Sequence, residues 1–212
     1  MNETRSRAIR FAEAVELGEE GFVVQYGNPA GLDIDLLLVA PGATGALIEL
    51  PPLDINVVSD ERLWQLIADL DPRVTEPLLQ GTFVRGSQDT YQRARTAVRE
   101  ARATPETGRL HWRIALDLLL SAGRTARQAP DVPGTMGVRE SLTHLSFSVY
   151  HLTAAREYTS GRREVVSFVE AQDREPLLQK IRTILSQAKR CEPVPANNLL
   201  AILDEAEDRF IL

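Results

Sequence analysis

The sequence predicts an α+β protein: a small mixed or antiparallel sheet with flanking helices, followed by an all-α bundle. Two observations predict it. Before Gly86 the chain alternates short β-rich runs with turns containing Gly and Pro. From Ser87 onward glycine thins, β-branched runs vanish and helix formers dominate. The division falls near Gly86 and gives domains 1–86 and 87–212.

Residues 2–17 read as an amphipathic helix, with Ala8, Phe11, Ala12 and Val15 at helical spacing. Gly18 to Gly21 ends it. Phe22 to Tyr26 is a strand, Gly27 to Gly31 a turn, and Asp33 to Val39 a second strand, with Leu36 to Val39 apolar on both faces. Pro41 to Gly45 is a further turn. Ala46 to Leu50 and Leu53 to Val58 are two short strands broken by Pro51 and Pro52. The connections are too short for crossover helices, so a meander is expected rather than repeated βαβ units. Ser59 N-caps a helix with Asp60 and Glu61 in its first turn and Leu63, Ile67 and Leu70 on its apolar face. Val74 to Leu79 is a short helix and Thr82 to Val84 a last strand.

In the second half, Gln88 to Arg102 is Arg-rich and reads as an exposed linking helix, with Arg93, Arg95, Arg99 and Arg102 on a solvated face. Leu110 to Ala126 is apolar on all sides, which places it in the middle of the bundle. Asp117 inside that run is either on the one wet edge facing the cleft or bonded to a neighbouring helix, the second being the expectation. Pro130 to Gly137 is a loop. Val138 to Tyr158 is a long helix with one apolar stripe through Leu142, Leu145, Val149 and Leu152. A second stripe holds Glu140, His144, Phe147 and His151. Helices over Arg163 to Ala171, Pro176 to Lys189 and Pro195 to Phe210 complete the bundle.

Composition narrows the function classes. Hydrophobic residues at 43% and charged residues at 25% fit an ordinary soluble globular chain. No apolar run has membrane-spanning length, and the charged N-terminus lacks the apolar segment of a signal peptide. Cys191 is the lone cysteine, which rules out an intrachain disulfide and zinc–thiolate clusters and makes a cytoplasmic chain the default. The net charge of -6 argues mildly against a nucleic-acid partner held through phosphates, unless the arginines cluster. Lys180 and Lys189 are the only lysines, so the first half has no catalytic lysine.

The chemistry concentrates at the second strand. Asp33 and Asp35 are two apart and project to one face. Two carboxylates side by side repel, and burying either unpartnered is costly. A divalent cation resolves the conflict; Mg²⁺ takes one or two carboxylates together with substrate phosphates. Asp54 stands among apolar neighbours in a later strand. If that strand pairs beside the first, three carboxylates converge.

These residues resemble the polymerase-β-like nucleotidyltransferases. The likeness lies in Gly27-Asn28 after a strand, Asp33-Ile34-Asp35 on the next, Asp54 on a later one, and the segment Leu78 to Gly86 with Gly81 and Gly86. The helical second half is similar to the C-terminal domain of small bacterial members, the aminoglycoside-modifying type included. The resemblance implies transfer of a nucleoside monophosphate from a nucleoside triphosphate such as ATP to a hydroxyl of a small molecule, a protein or an RNA end. Asp33, Asp35 and Asp54 would hold two Mg²⁺ ions, with Mn²⁺ as the alternative. Gly27 and Asn28 would bind the triphosphate, and Glu140 is the candidate general base. Arg85 or an arginine of the bundle is available to the phosphates. A homodimer could complete the cleft.

The sequence departs from the family pattern in two places. Asn28 stands where Ser or Gly is usual, and only four residues separate it from Asp33. A second class is therefore a degenerate, non-catalytic member acting as a binding partner. A third rests on Arg139 and His144, which match the Arg-x4-His pattern of the HEPN ribonuclease domains.

Overall fold

A computed structural model describes residues 3–27, 34–43, 45–50, 53–128, 136–190 and 192–211. Asn28, Asp33, the Pro51–Pro52 break and most of the 130–137 loop lie outside the described residues. The architecture is α+β, in two compact units, Met1–Arg102 and Ala103–Leu212.

The first unit runs α1 (Glu3–Ala14), β1 (Phe22–Tyr26), β2 (Ile34–Val39), β3 (Ala46–Leu50), β4 (Leu53–Val58), α2 (Asp60–Ala68), α3 (Pro72–Gln80), β5 (Thr82–Gly86) and α4 (Gln88–Glu100). The five strands lie in the order β3-β4-β2-β1-β5. The sheet is mixed: β1 is antiparallel to β2 and β5, β3 is antiparallel to β4, and β4 runs parallel to β2.

Alternation along β2 explains its place at the centre. Ile34, Leu36 and Leu38 pack with Ala12, Leu17, Val23 and Ile55 under α1. Leu37 and Val39 are buried on the opposite face. Each such side chain contributes about 1.5–3 kcal/mol by leaving water.

That opposite face carries α3 and α4. Ser59 Oγ accepts the Arg62 N–H at 3.1 Å and starts α2. Asp71 caps α3 by accepting the Arg73 N–H at 2.9 Å, and Asn56 on β4 donates to the Arg73 carbonyl at 2.7 Å. These bonds fix α3 against the strands.

α4 differs from the exposed linking helix expected of it. It belongs to the first unit. Thr90, Tyr91, Ala94 and Val98 form a buried stripe, and Tyr91 packs edge-on to Phe22. The arginines of its outer face mask this stripe in the sequence. Arg95 itself donates to the Leu78 carbonyl at 3.0 Å.

The second unit runs α5 (Pro105–Gln128), α6 (Met136–Thr159), α7 (Phe168–Arg174), α8 (Pro176–Lys189) and α9 (Ala196–Ile211). α5 is not buried all round. Its inward face is made of small residues, Gly108, Ala115, Ala122, Gly123 and Ala126, with His111 and Leu119. Trp112 is 45% exposed, Leu120 56%, and Asp117 faces outward, on a wet edge rather than in a helix bond among the described residues. The reason is a close seam with α6. Ser141 and Ser148 of α6 donate to the Ala122 and Ala115 carbonyls at 2.9 and 2.7 Å, leaving no room for large side chains.

α7 starts at Phe168 rather than Arg163, with Ser167 as its N-cap. The preceding segment is tied to α6 at Val166. Tyr150 Oη donates to the Val166 carbonyl at 2.7 Å, and Tyr158 Oη accepts the Val166 N–H at 3.0 Å. Arg162 grips Glu170 through two bonds of 2.6 and 2.7 Å and holds that carboxyl below its ordinary range. No helix among the described residues is long and apolar enough to cross a membrane.

Candidate functional site

Register assembles the candidate site. Asp35 on β2 pairs with Tyr26 on β1 and with Asp54 on β4. Residues in register on neighbouring strands share a face, so Tyr26, Asp35 and Asp54 form one row across three strands. Glu49 holds the matching register position on β3. The strand of Asp54 thus does lie beside the strand of Asp35. Both carboxylates are half-buried, and they lie on the α3 side of the sheet, since Ile34 and Leu36 take the α1 side.

Gly27 closes the turn after Tyr26. Its φ of +80° favours glycine, and a Cβ built there would overlap Asp35 Oδ2. The backbone of the turn therefore lies directly against the carboxylate. This tight cradle admits no side chain, and it explains why a glycine ends β1.

The electrostatics of the row are those of crowded negative charge. The Tyr26 phenol is raised well above its ordinary range, first by burial and then by the charges of Asp35, Asp54 and Glu76. Glu76, half-buried on α3, is a member of this neighbourhood that sequence reasoning missed. Its only sequence signal is a carboxylate among the buried positions Val74, Thr75, Pro77 and Leu78.

Two carboxylates in register beside the Gly27 backbone make a hard oxygen donor set, which suits Mg²⁺ or Mn²⁺. Among the described residues no cluster of three or more His, Cys, Asp or Glu side chains forms a cation site. Asp33, the third carboxylate expected from the sequence, lies outside those residues, as does Asn28.

Arg85 is not brought to the row. It pairs with Val23, at the other end of β1, and its guanidinium donates to the Ala12 carbonyl of α1, on the opposite face of the sheet. Glu140 belongs to the second unit and is exposed near the start of α6. On the same helix Arg139 Nε and His144 Nδ1 are buried with no hydrogen-bond partner among the described residues.

The other two histidines meet in the core of the second unit. His111 of α5 and His151 of α6 bring their Nδ1 atoms to 3.2 Å, with His111 0% and His151 3% exposed. One ring donates its N–H and the other accepts. The Tyr158 ring stands edge-on to His111, and the Tyr150 ring edge-on to His151.

No protein-family model matches the chain, and no curated protein matches it. Among solved structures, it is similar to a nucleotidyltransferase-like protein from Exiguobacterium sibiricum 255-15. The two are 15% identical, with a TM-score of 0.40, over 98% of this chain and 73% of that one. So low a TM-score leaves function to be argued from the chain's own geometry.

Proposed function

We propose that the chain is a metal-dependent nucleotidyltransferase of the polymerase-β-like kind. The observation that carries this is the Asp35–Asp54 register with the Gly27 backbone pressed against Asp35. In this reading Asp35 and Asp54, joined by Asp33, hold one or two Mg²⁺ ions together with the phosphates of a nucleoside triphosphate. When bound, Mg²⁺ neutralises phosphate charge and makes the acceptor hydroxyl easier to deprotonate.

The chain's own residues supply position and charge. Gly27 lets the backbone approach the phosphates, and Asn28 donates to them. The acceptor hydroxyl oxygen attacks the α-phosphorus, the bond from that phosphorus to the bridging oxygen breaks, and pyrophosphate leaves. The hydroxyl proton passes to a base or to water as the bond forms. Tyr26 stays protonated beneath the acids and adds no further negative charge. The acceptor class spans small molecules, protein side chains and RNA ends.

Calorimetric titration of ATP, GTP, CTP and UTP with Mg²⁺ into wild type and Asp35→Asn/Asp54→Asn tests this. Metal-dependent binding by the wild type and its loss in the variant are expected. Absence of binding by all four would sink the proposal and leave a non-catalytic partner protein as the better account.

A second reading is favoured by Arg139 Nε and His144 Nδ1, which find no partner among the described residues, because such buried polar atoms call for an explanation. It is an RNase of the HEPN kind. RNA cleavage that survives Asp35→Asn and is lost in His144→Ala would select it.

A further inference from the structure

We propose that a groove on the second unit, between α5, α6 and α9, binds a nucleotide-class anion: a planar ring carrying a phosphate. The groove encloses about 450 Å³, within the range of small-molecule sites. It is lined by Arg109, Trp112 and Arg113 of α5, Arg156 of α6, and Arg209 and Phe210 of α9. It is built from second-unit residues alone and does not rest on the acid row.

Helical spacing produces one wall. Arg109, Trp112 and Arg113 stand at i, i+3 and i+4 and share a face of α5. Gly108 lets that face approach α6: a Cβ there would come within 2.8 Å of Thr159 Cγ2. Arg156 Nη2 donates to the Arg209 carbonyl at 2.6 Å and draws the end of α9 into the groove.

Charge selects the ligand's sign. Among the described residues the lining holds four guanidiniums and no carboxylate, in a chain whose net charge is -6. Glu106 pairs with Arg109, and Glu175 reaches Arg209 at 3.6 Å. Arg113 acts on Glu106 only at longer range, and Arg156 forms no salt bridge among the described residues. Guanidiniums match phosphate oxygens through paired N–H bonds.

The aromatic residues select the ligand's shape. A merely solvated arginine face has no use for an indole, yet Trp112 is 45% exposed there, beside Phe210. Indole and guanidinium planes both stack on nucleobases. A mononucleotide satisfies sign, size and ring together, whether free or as the end of a strand.

The test is calorimetry on the full chain in EDTA, which removes the divalent cation from the acid row. AMP is the probe, with adenosine, inorganic phosphate and a short 5′-phosphorylated oligoadenylate beside it. Expected is AMP binding that weakens about tenfold or more in Arg113→Glu and in Trp112→Ala, each shown folded by circular dichroism. Asp35→Asn leaves it unchanged, so failure of the acid-row proposal is read separately. Oligoadenylate binding as tight as AMP assigns the site to strand ends, and AMP binding alone assigns it to free nucleotides. Adenosine or phosphate binding as well as AMP, unaltered affinity in both variants, or no binding at all overturns the proposal.

Discussion

The acid row of the first unit and the histidine pair of the second are both polar pairs aligned by neighbouring elements, yet they are built in opposite ways. Asp35 and Asp54 are two acids, half-buried near the starts of parallel strands, and Asp35 lies against the Gly27 backbone. His111 and His151 share a hydrogen bond, are fully enclosed, and lie against tyrosine rings. A like-charged pair beside a turn is an arrangement that a cation and phosphates complete. A closed pair that shares one donor and one acceptor is one that the fold completes. Burial alone does not separate the two; what differs is whether the paired groups repel or share a hydrogen bond.

The sharpest way to break this comparison is to remove one acid. Asp35→Asn is expected to lower nucleotidyl transfer by roughly a hundredfold to a thousandfold, the scale for losing one group aimed at developing charge. Its melting temperature is expected to hold or rise, because a like-charge repulsion is relieved. Parallel assays of pyrophosphate release and thermal unfolding check both halves. A large drop in stability would put the acids among the structural groups.

The histidine pair is expected to behave in reverse. His151→Leu leaves a buried donor or acceptor of His111 without this bond and costs about 1–3 kcal/mol in urea unfolding. Adding His111→Leu recovers part of that loss, since removing both partners costs less than removing one. Nucleotide affinity is expected to stay at the wild-type value in both.

Gly27→Ala lies between the two. The Cβ overlaps Asp35 Oδ2 and the backbone is in the left-handed region, so about 1–3 kcal/mol of stability is expected to go. Nucleotide affinity falls with it if the turn carries phosphate. Equal affinities in wild type and variant would separate the turn from binding.

The smallest effect is alkaline. The Tyr26 phenol titrates higher in the folded chain than its usual 10.0, so the unfolded chain loses this proton first as pH rises. Its contribution is intact below pH 10.0 and declines as pH climbs beyond it. Tyr26→Phe is expected to flatten the stability profile there, measured by urea midpoints across the alkaline range.

Much of the first unit was legible in the sequence because its strands are short, β-rich and bounded by Gly and Pro. The pairing of β4 beside β2 was legible only as a condition, since register is settled by the whole sheet. Arg85 was named from a local segment, and its side of the sheet depends on an irregularity between Val23 and Val24 that no spacing rule reveals. Glu76 carries no motif; it joins the acid row only because Asp71 and Asn56 fix α3. In the second unit, hydrophobicity misplaced the core of α5. The seam with α6 is won by small residues and serine bonds, which a count of leucines does not register.

The tyrosine clasp on Val166 has a consequence for hydrogen exchange. Residues 162–167 precede α7 without helix or strand, and such segments ordinarily exchange their amide protons quickly. The Val166 N–H, however, is held by Tyr158 Oη from a buried stretch of α6, and the carbonyl of the same residue by Tyr150. Its exchange is therefore tied to the opening of α6 rather than to motion of its own segment. On a protection map this one loop amide would read with the helices.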